Sequence, residues 1–153
     1  MIKELEFLVK GITKSPKSYT LWFHRQWVIE KGLQIEKLLI LSSSDNSWKS
    51  RILETELKLC DKMLMMDERN FHCWNYRLLT SMLYLKEISL RLPEQAVSAQ
   101  IEFLQKECLM AENLIKKNFS NYSAWHYRSK LLPELSQRLT PASDGYLMPF
   151  AKI

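Results

Sequence analysis

Residues 15–28 read SPKSYTLWFHRQWV, residues 67–80 read DERNFHCWNYRLLT, and residues 118–131 read NFSNYSAWHYRSKL. These are three copies of one pattern. Trp22, Trp74 and Trp125 follow one another at intervals of 52 and 51 residues. Three positions before each Trp stands an aromatic residue (Tyr19, Phe71, Tyr122), and three positions after each stands an arginine (Arg25, Arg77, Arg128). Two positions after each Trp stands His24, Tyr76 or Tyr127. Self-similarity at a fixed long period is the signature of a repeat architecture.

Residues three apart lie on one face of a helix, so each aromatic–Trp–Arg set forms a stripe. The paired aromatics are expected to anchor that helix against its neighbours. The arginine is expected to lay its stem on the ring and donate hydrogen bonds to carbonyls or carboxylates. Trp22, Arg25, Trp74, Arg77, Tyr122, Trp125 and Arg128 therefore read as structural, with the tryptophans buried. His24 and His126 read as packing residues within the same motifs. Ser18, Asn70 and Asn121, four positions before each Trp, are good N-cap types. They leave residues 15–17, 67–69 and 118–120 as short interhelical loops.

Residues 2–13, 50–66 and 94–117 carry apolar residues at helical spacing, each just upstream of a motif. Met63, Met65, Met66 and Met110 within them read as core fillers. The order is helix, short loop, motif helix, longer connection, three times over. The expected fold is all-α: antiparallel helical hairpins stacked into an α-α superhelix. Polar, Ser-rich residues 41–49 predict one connection, and residues 86–93, ending at Pro93, predict another. Pro133 is expected to end the last motif helix. The solenoid then occupies residues 1–133, with an irregular tail over 134–153. The first helix pairs with nothing earlier and the last motif helix with nothing later. That suggests a fragment, a truncated product, or a stack finished by another subunit.

Composition narrows the function classes. Apolar residues make up 46% and charged residues 25% of 153, enough for one well-packed soluble domain. Three Gly and five Pro argue against a turn-rich β protein. The net charge of +5 comes from Lys and Arg spread along the chain, which reads as a solvated surface and not as a nucleic-acid site. Cys60, Cys73 and Cys108 are odd in number and widely spaced, and His24, His72 and His126 do not follow metal-finger spacing. Reduced thiols in a cytoplasmic protein are the simplest reading. No apolar run is long enough to span a membrane. No Ser/His/Asp or Cys/His arrangement and no Gly-rich phosphate loop is evident.

The Pro16-Lys17-Ser18-Tyr19 segment with Trp22 and Arg25, together with its counterparts through Trp74 and Trp125, resembles the repeat of protein prenyltransferase α subunits. The second and third copies are most similar to the α subunit of Rab geranylgeranyltransferase. The resemblance covers residues 3–133. It implies a crescent of helical hairpins that wraps a β subunit. That partner would hold a zinc ion and the geranylgeranyl diphosphate, with magnesium a candidate cofactor of the assembled enzyme and none in this chain. It further implies transfer to C-terminal cysteines of a Rab-type GTPase carried by an escort protein, with the isolated chain inactive.

The resemblance also assigns residues. Lys17 matches the α-subunit lysine that touches the isoprenoid diphosphate, and a fixed ammonium there would stabilise the leaving group's growing charge. A lone loop lysine is ordinarily solvated, and only the resemblance singles this one out. Tyr19 matches the aromatic beside it, while Phe71 and His72 match the family's interface with the substrate site. Phe71 lacks the hydroxyl of the family's more usual tyrosine, and a histidine such as His72 is more often an interface residue than a catalyst. Thr20 replaces a glutamine with which farnesyltransferases help hold the peptide carboxylate, against a farnesyl-type reading. The competing readings are the α subunit of farnesyltransferase or geranylgeranyltransferase type I, and an interaction scaffold like a tetratricopeptide protein. An RNA-processing repeat is a further one. Tetratricopeptides repeat at about 34 residues, and RNA binding wants exposed aromatic or basic groups for bases and phosphates.

Overall fold

The computed structural model describes residues 1–39 and 47–140. Six helices run in chain order: α1 (Ile2–Lys14), α2 (Tyr19–Leu39), α3 (Ser47–Met66), α4 (Phe71–Arg91), α5 (Ala96–Lys117) and α6 (Tyr122–Leu139). Among the described residues there is no strand. Helices α1 and α2, α3 and α4, and α5 and α6 pair as hairpins, and α2, α4 and α6 carry the three motifs. The hairpins stack in sequence, α4 touching α2 on one side and α5 and α6 on the other. This is the α-α superhelix that the repeat spacing predicts.

The local causes are those of helix termini. Four residues separate the helices of each hairpin: 15–18, 67–70 and 118–121. The Asn70 side chain accepts the amide hydrogen of Cys73, and that of Asn121 accepts Ala124's, each at 3.2 Å. Each thus satisfies one of the helix's orphan donors. The Ser18 hydroxyl meets that of Thr20 at 3.1 Å. Gly11 lets α1 approach α2 closely, since a Cβ there would lie 3.2 Å from a Leu21 methyl.

One apolar core runs through all three hairpins. It joins Leu5, Leu8, Ile12, Trp22 and Ile29 to Leu53, Cys60, Met63 and Trp74, and on to Leu104, Ala111, Tyr127 and Leu131. The three cysteines are buried and free, and burial pushes the Cys60 thiol well up from its ordinary range. Thiolates are the reactive form, so this cysteine is inert packing.

Four expectations need correction. Pro133 does not end the last helix, which runs on to Leu139. The proline removes one backbone donor, but Leu135 packs on the core and Arg138 bonds Gln100 of α5 at 2.9 Å. Those contacts hold the following turn, so residues 134–139 belong to the solenoid. Residues 141–153 of the expected tail lie outside the described residues. The connection placed at 86–93 shrinks to 92–95, because α4 continues through Arg91. Of the connection at 41–49, residues 47–49 are already helical and 41–46 lie outside the described residues. Met63 is a core filler and Met110 a partial one, but Met65 and Met66 are exposed at the end of α3.

Candidate functional site

The repeated residues make two different surfaces. The first is the buried joint between successive hairpins. Arg25 is 2% exposed, and its Nε and Nη2 donate to the two carboxylate oxygens of Glu56 at 2.6 and 2.7 Å. Its Nη1 donates to the Leu5 carbonyl at 2.7 Å. The hydroxyl of Tyr76 donates to the same Glu56 at 2.7 Å. One repeat later the set recurs. Arg77 clamps Glu107 at 2.7 and 2.8 Å, reaches the Leu57 carbonyl and Asp61, and Tyr127 donates to Glu107.

The tryptophans complete each joint. Trp22 packs on Tyr76 with ring centres 5.5 Å apart, and Trp74 on Tyr127 at 5.1 Å. The indole N–H of Trp22 donates to the Pro16 carbonyl, which also accepts from the Asn70 side chain of the next repeat. Trp74 and Asn121 share the Glu68 carbonyl in the same way. Burial opposes the Arg25 and Arg77 charges, but the clamped carboxylates outweigh it and hold both guanidiniums above their ordinary range. Burial, aided by the same carboxylates, pushes the Tyr76 and Tyr127 hydroxyls well up. A bidentate arginine–carboxylate pair in which each guanidinium nitrogen is hydrogen-bonded fixes orientation as well as contributing energy.

The second surface is the edge formed by the loops and the first turns of α2, α4 and α6. Here the structure brings Lys17, Tyr19, Phe71 and His72 together from two repeats. Lys17 reaches Asp67 at 3.2 Å with its side chain 76% exposed. Tyr19 stacks on Phe23 and faces the His72 ring at 6.1 Å, and His72 lies against Phe71 at 3.9 Å. Partial burial among these rings lowers the His72 pKa. Thr20 sits at the same edge, bonded to Ser18. The row continues through Tyr122, which stacks on His126, and Phe119, which meets Trp125 edge-on. Between the second and third repeats a groove of about 540 Å³ opens on the same edge, bordered by Arg69, Phe71, Asn75, Tyr122 and His126.

The motif thus splits between the two surfaces, against the single buried stripe expected. Trp22, Arg25, Trp74 and Arg77 are buried, whereas Tyr19, Phe71 and Tyr122 are all more than half exposed. The first residue of each stripe lies in the first turn, at the rim of the joint, where the neighbouring hairpin covers it only in part. His24 and His126 are exposed and not packed inside, and Trp125 is 41% exposed. The glutamates were missed as joint residues. Glu4, Glu56 and Glu107 stand 52 and 51 residues apart, in step with the tryptophans. That periodicity was the available signal. Among the described residues no group of three His, Cys, Asp or Glu is arranged to hold a metal. Among the described residues no helix is long and apolar enough to cross a membrane.

The repeated sequence has known relatives. The protein prenyltransferase alpha subunit repeat matches residues 2–32, 53–81 and 104–135. Geranylgeranyl transferase type-2 subunit alpha of Rattus norvegicus is 36% identical over 144 residues, covering 94% of this chain and 20% of the relative. The Homo sapiens protein of that name is 35% identical with the same coverage. That of Saccharomyces cerevisiae is 30% identical over 142 residues, 89% of this chain and 34% of the relative. The chain therefore spans about a fifth of the length of the mammalian relatives. No solved structure matches it significantly.

Proposed function

The chain belongs to the protein prenyltransferase α-subunit repeat family, and from that premise we propose that it is the α-subunit portion of a heterodimeric prenyltransferase of the Rab geranylgeranyltransferase type. In this reading the hairpin stack is a scaffold for a β subunit, and the loop edge faces the reaction. The observation that carries the proposal is the convergence of Lys17, Tyr19, Phe71 and His72 on one exposed surface at the joint of the first two repeats. The geranylgeranyl assignment draws on the relatives' name. Thr20, in place of a peptide-holding glutamine, supports the same choice.

The chemistry assigned to this chain is electrostatic. As the carbon–oxygen bond of geranylgeranyl diphosphate breaks, negative charge grows on the departing diphosphate. The Lys17 ammonium, on a long exposed stem, would lie against that charge and lower the barrier. Asp67 holds Lys17 at the edge in the meantime. The exposed pair is weak enough for a diphosphate to take its place. Tyr19, Phe71 and His72 would offer an apolar, partly polar-tipped wall to the β subunit and the isoprenoid. Zinc, which activates the acceptor thiol in such enzymes, and any magnesium belong in this proposal to the β subunit or the assembled complex. The acceptor is a Rab-type GTPase presented by an escort protein, and the setting is cytoplasmic.

A pull-down with the tagged chain from the source extract tests the reading. The expected result is recovery of a prenyltransferase β subunit, abolished by Tyr19→Glu with Phe71→Glu. Failure to recover it with an intact, folded chain would contradict the proposal. So would recovery that ignores the edge substitutions.

A further inference from the structure

The loop edge is built differently at the two internal joints. Between the first and second repeats it is filled. Asp67 holds Lys17 at 3.2 Å. Tyr19 stacks on Phe23 at 5.8 Å and faces His72 at 6.1 Å. One repeat further on, Arg69 stands where Lys17 does and Phe71 where Tyr19 does, but the covering groups are replaced. Asn75 takes the place of Phe23, Asn118 that of Asp67 and Ser123 that of His72. Two rings and a carboxylate are gone, and the groove of about 540 Å³ lies at that place. Its walls, α4 and α6, are in contact with one another. The opening therefore follows from side-chain size within a formed joint.

The chemistry of the groove is mixed. The Phe71 and Tyr122 rings, both more than half exposed, give it apolar walls with Leu78. Asn75 and Ser123 are polar points on those walls. A carboxamide carries both a donor and an acceptor, so it can pair with the N–H and C=O of a peptide unit. Arg69 borders the groove, and the Ser120 hydroxyl takes its Nη2 at 2.6 Å. The nearby acids are engaged elsewhere, Asp67 by Lys17 and Glu68 by Lys117 and Asn118. With the neutral Asn118 where Asp67 would stand, the guanidinium keeps donors for a carboxylate arriving from outside.

We propose that this groove takes an extended stretch of the acceptor protein's C-terminal tail, with a large apolar residue beside an acidic one. The apolar side chain lies between the Phe71 and Tyr122 rings, and the acidic one meets Arg69. The proposal rests on the prenyltransferase reading. Phe71 lies against His72 at the reaction edge and also borders the groove, so the two are continuous. Packed helices step by about 10 Å, which about three or four extended residues cover. The stretch therefore lies a few residues before the modified cysteine.

Fluorescence anisotropy on the whole chain tests the site without a β subunit or isoprenoid. The probes are short labelled Gly/Ser peptides with Leu-Glu, Leu-Lys or Ser-Ser at the centre. The Leu-Glu peptide should bind most tightly. Ser123→His restores the ring that stands in the first joint and should weaken that binding by roughly tenfold or more. Arg69→Glu should reverse the order, so that Leu-Lys binds better than Leu-Glu. That reversal also shows that the variant is folded. In the α–β complex that carries this segment, Ser123→His should raise the KM for an acceptor with Leu-Glu in that stretch by roughly tenfold. The kcat should hold, as it does when uniform binding is lost. Absence of binding, equal binding of the three peptides, or an order indifferent to both substitutions would overturn the groove. Peptide binding with an unchanged KM would overturn its assignment to the acceptor. Either failure leaves the role of Lys17 standing, and equal rates in Lys17→Ala would leave peptide binding untouched.

Discussion

Arg77 and Arg128 hold the same place in successive repeats, 51 residues apart. Arg77 is 3% exposed and clamps Glu107 with two hydrogen bonds. Among the described residues no carboxylate clamps Arg128, and its Nε has no hydrogen-bond partner. The sequence motif is the same and the surroundings are not. The motif therefore encodes half of a joint, and the other half comes from the hairpin that stacks next. Burial of the arginine and tryptophan is a property of the stack and not of the repeat.

The largest expected difference lies in that pair of arginines. Arg77→Met strands the buried Glu107 carboxylate and should destabilise the fold by about 3–5 kcal/mol. Arg128→Met should barely move the urea midpoint. Equal effects would break the comparison. Replacing Glu107 by Leu in the Arg77→Met background removes the stranded charge and should recover much of the loss, which chemical denaturation would show.

The tyrosine hydroxyls come next. Tyr76→Phe and Tyr127→Phe each remove one donor from a buried glutamate and should cost about 1–3 kcal/mol. His24→Phe, at the exposed equivalent, should cost far less. Alkaline pH probes the same groups together. In the unfolded chain tyrosine ionises near pH 10. In the fold, Tyr76 and Tyr127 are held well above that, and burial with the Glu54 hydrogen bond pushes Tyr84 up to about 12. The folded state then binds more protons than the unfolded one above pH 10, so stability falls as pH rises. Urea midpoints should be flat between about pH 7 and pH 8, begin to fall as the unfolded chain's thiols ionise at about pH 8.5, because burial also holds the Cys60 thiol up, and fall steeply above pH 10, with a shallower fall in Tyr76→Phe. A midpoint independent of pH through that range would contradict the buried hydroxyls.

The smallest stability effect belongs to the loop edge. Lys17 and Asp67 form an exposed pair, worth at most about 1 kcal/mol. Asp67→Asn should leave unfolding almost unchanged while freeing Lys17. Titration with inorganic diphosphate should then show affinity equal to or above that of the parent. Weaker binding would mean that Asp67 supports the site and does not compete for it.

These contrasts explain what could be read from sequence. The hairpins and the Asn70 and Asn121 caps were legible because Trp spacing, capping residues and apolar periodicity are local signals. The depth of the repeated side chains was not, because it depends on which neighbour follows. Trp22 and Trp125 carry the same motif, yet among the described residues Trp22 is covered by Tyr76 of the next repeat while Trp125 is 41% exposed. Pro133 misled for a similar reason, since contacts made by Leu135 and Arg138 outweigh its local preference. At the edge, the resemblance singled out Lys17, Tyr19, Phe71 and His72. Their meeting across two repeats depends on hairpin stacking, which residue identities alone do not set.

The central claim is a division of labour: what the copies share builds the stack, and what differs at the loop edge acts. The rate of prenyl transfer in a single turnover tests this directly, using the α–β complex that carries this segment, with Lys17 intact or replaced by Ala. The account predicts a rate lower by roughly 100-fold with isoprenoid binding and unfolding temperature little changed. Equal rates would remove Lys17 from the reaction and contradict the claim.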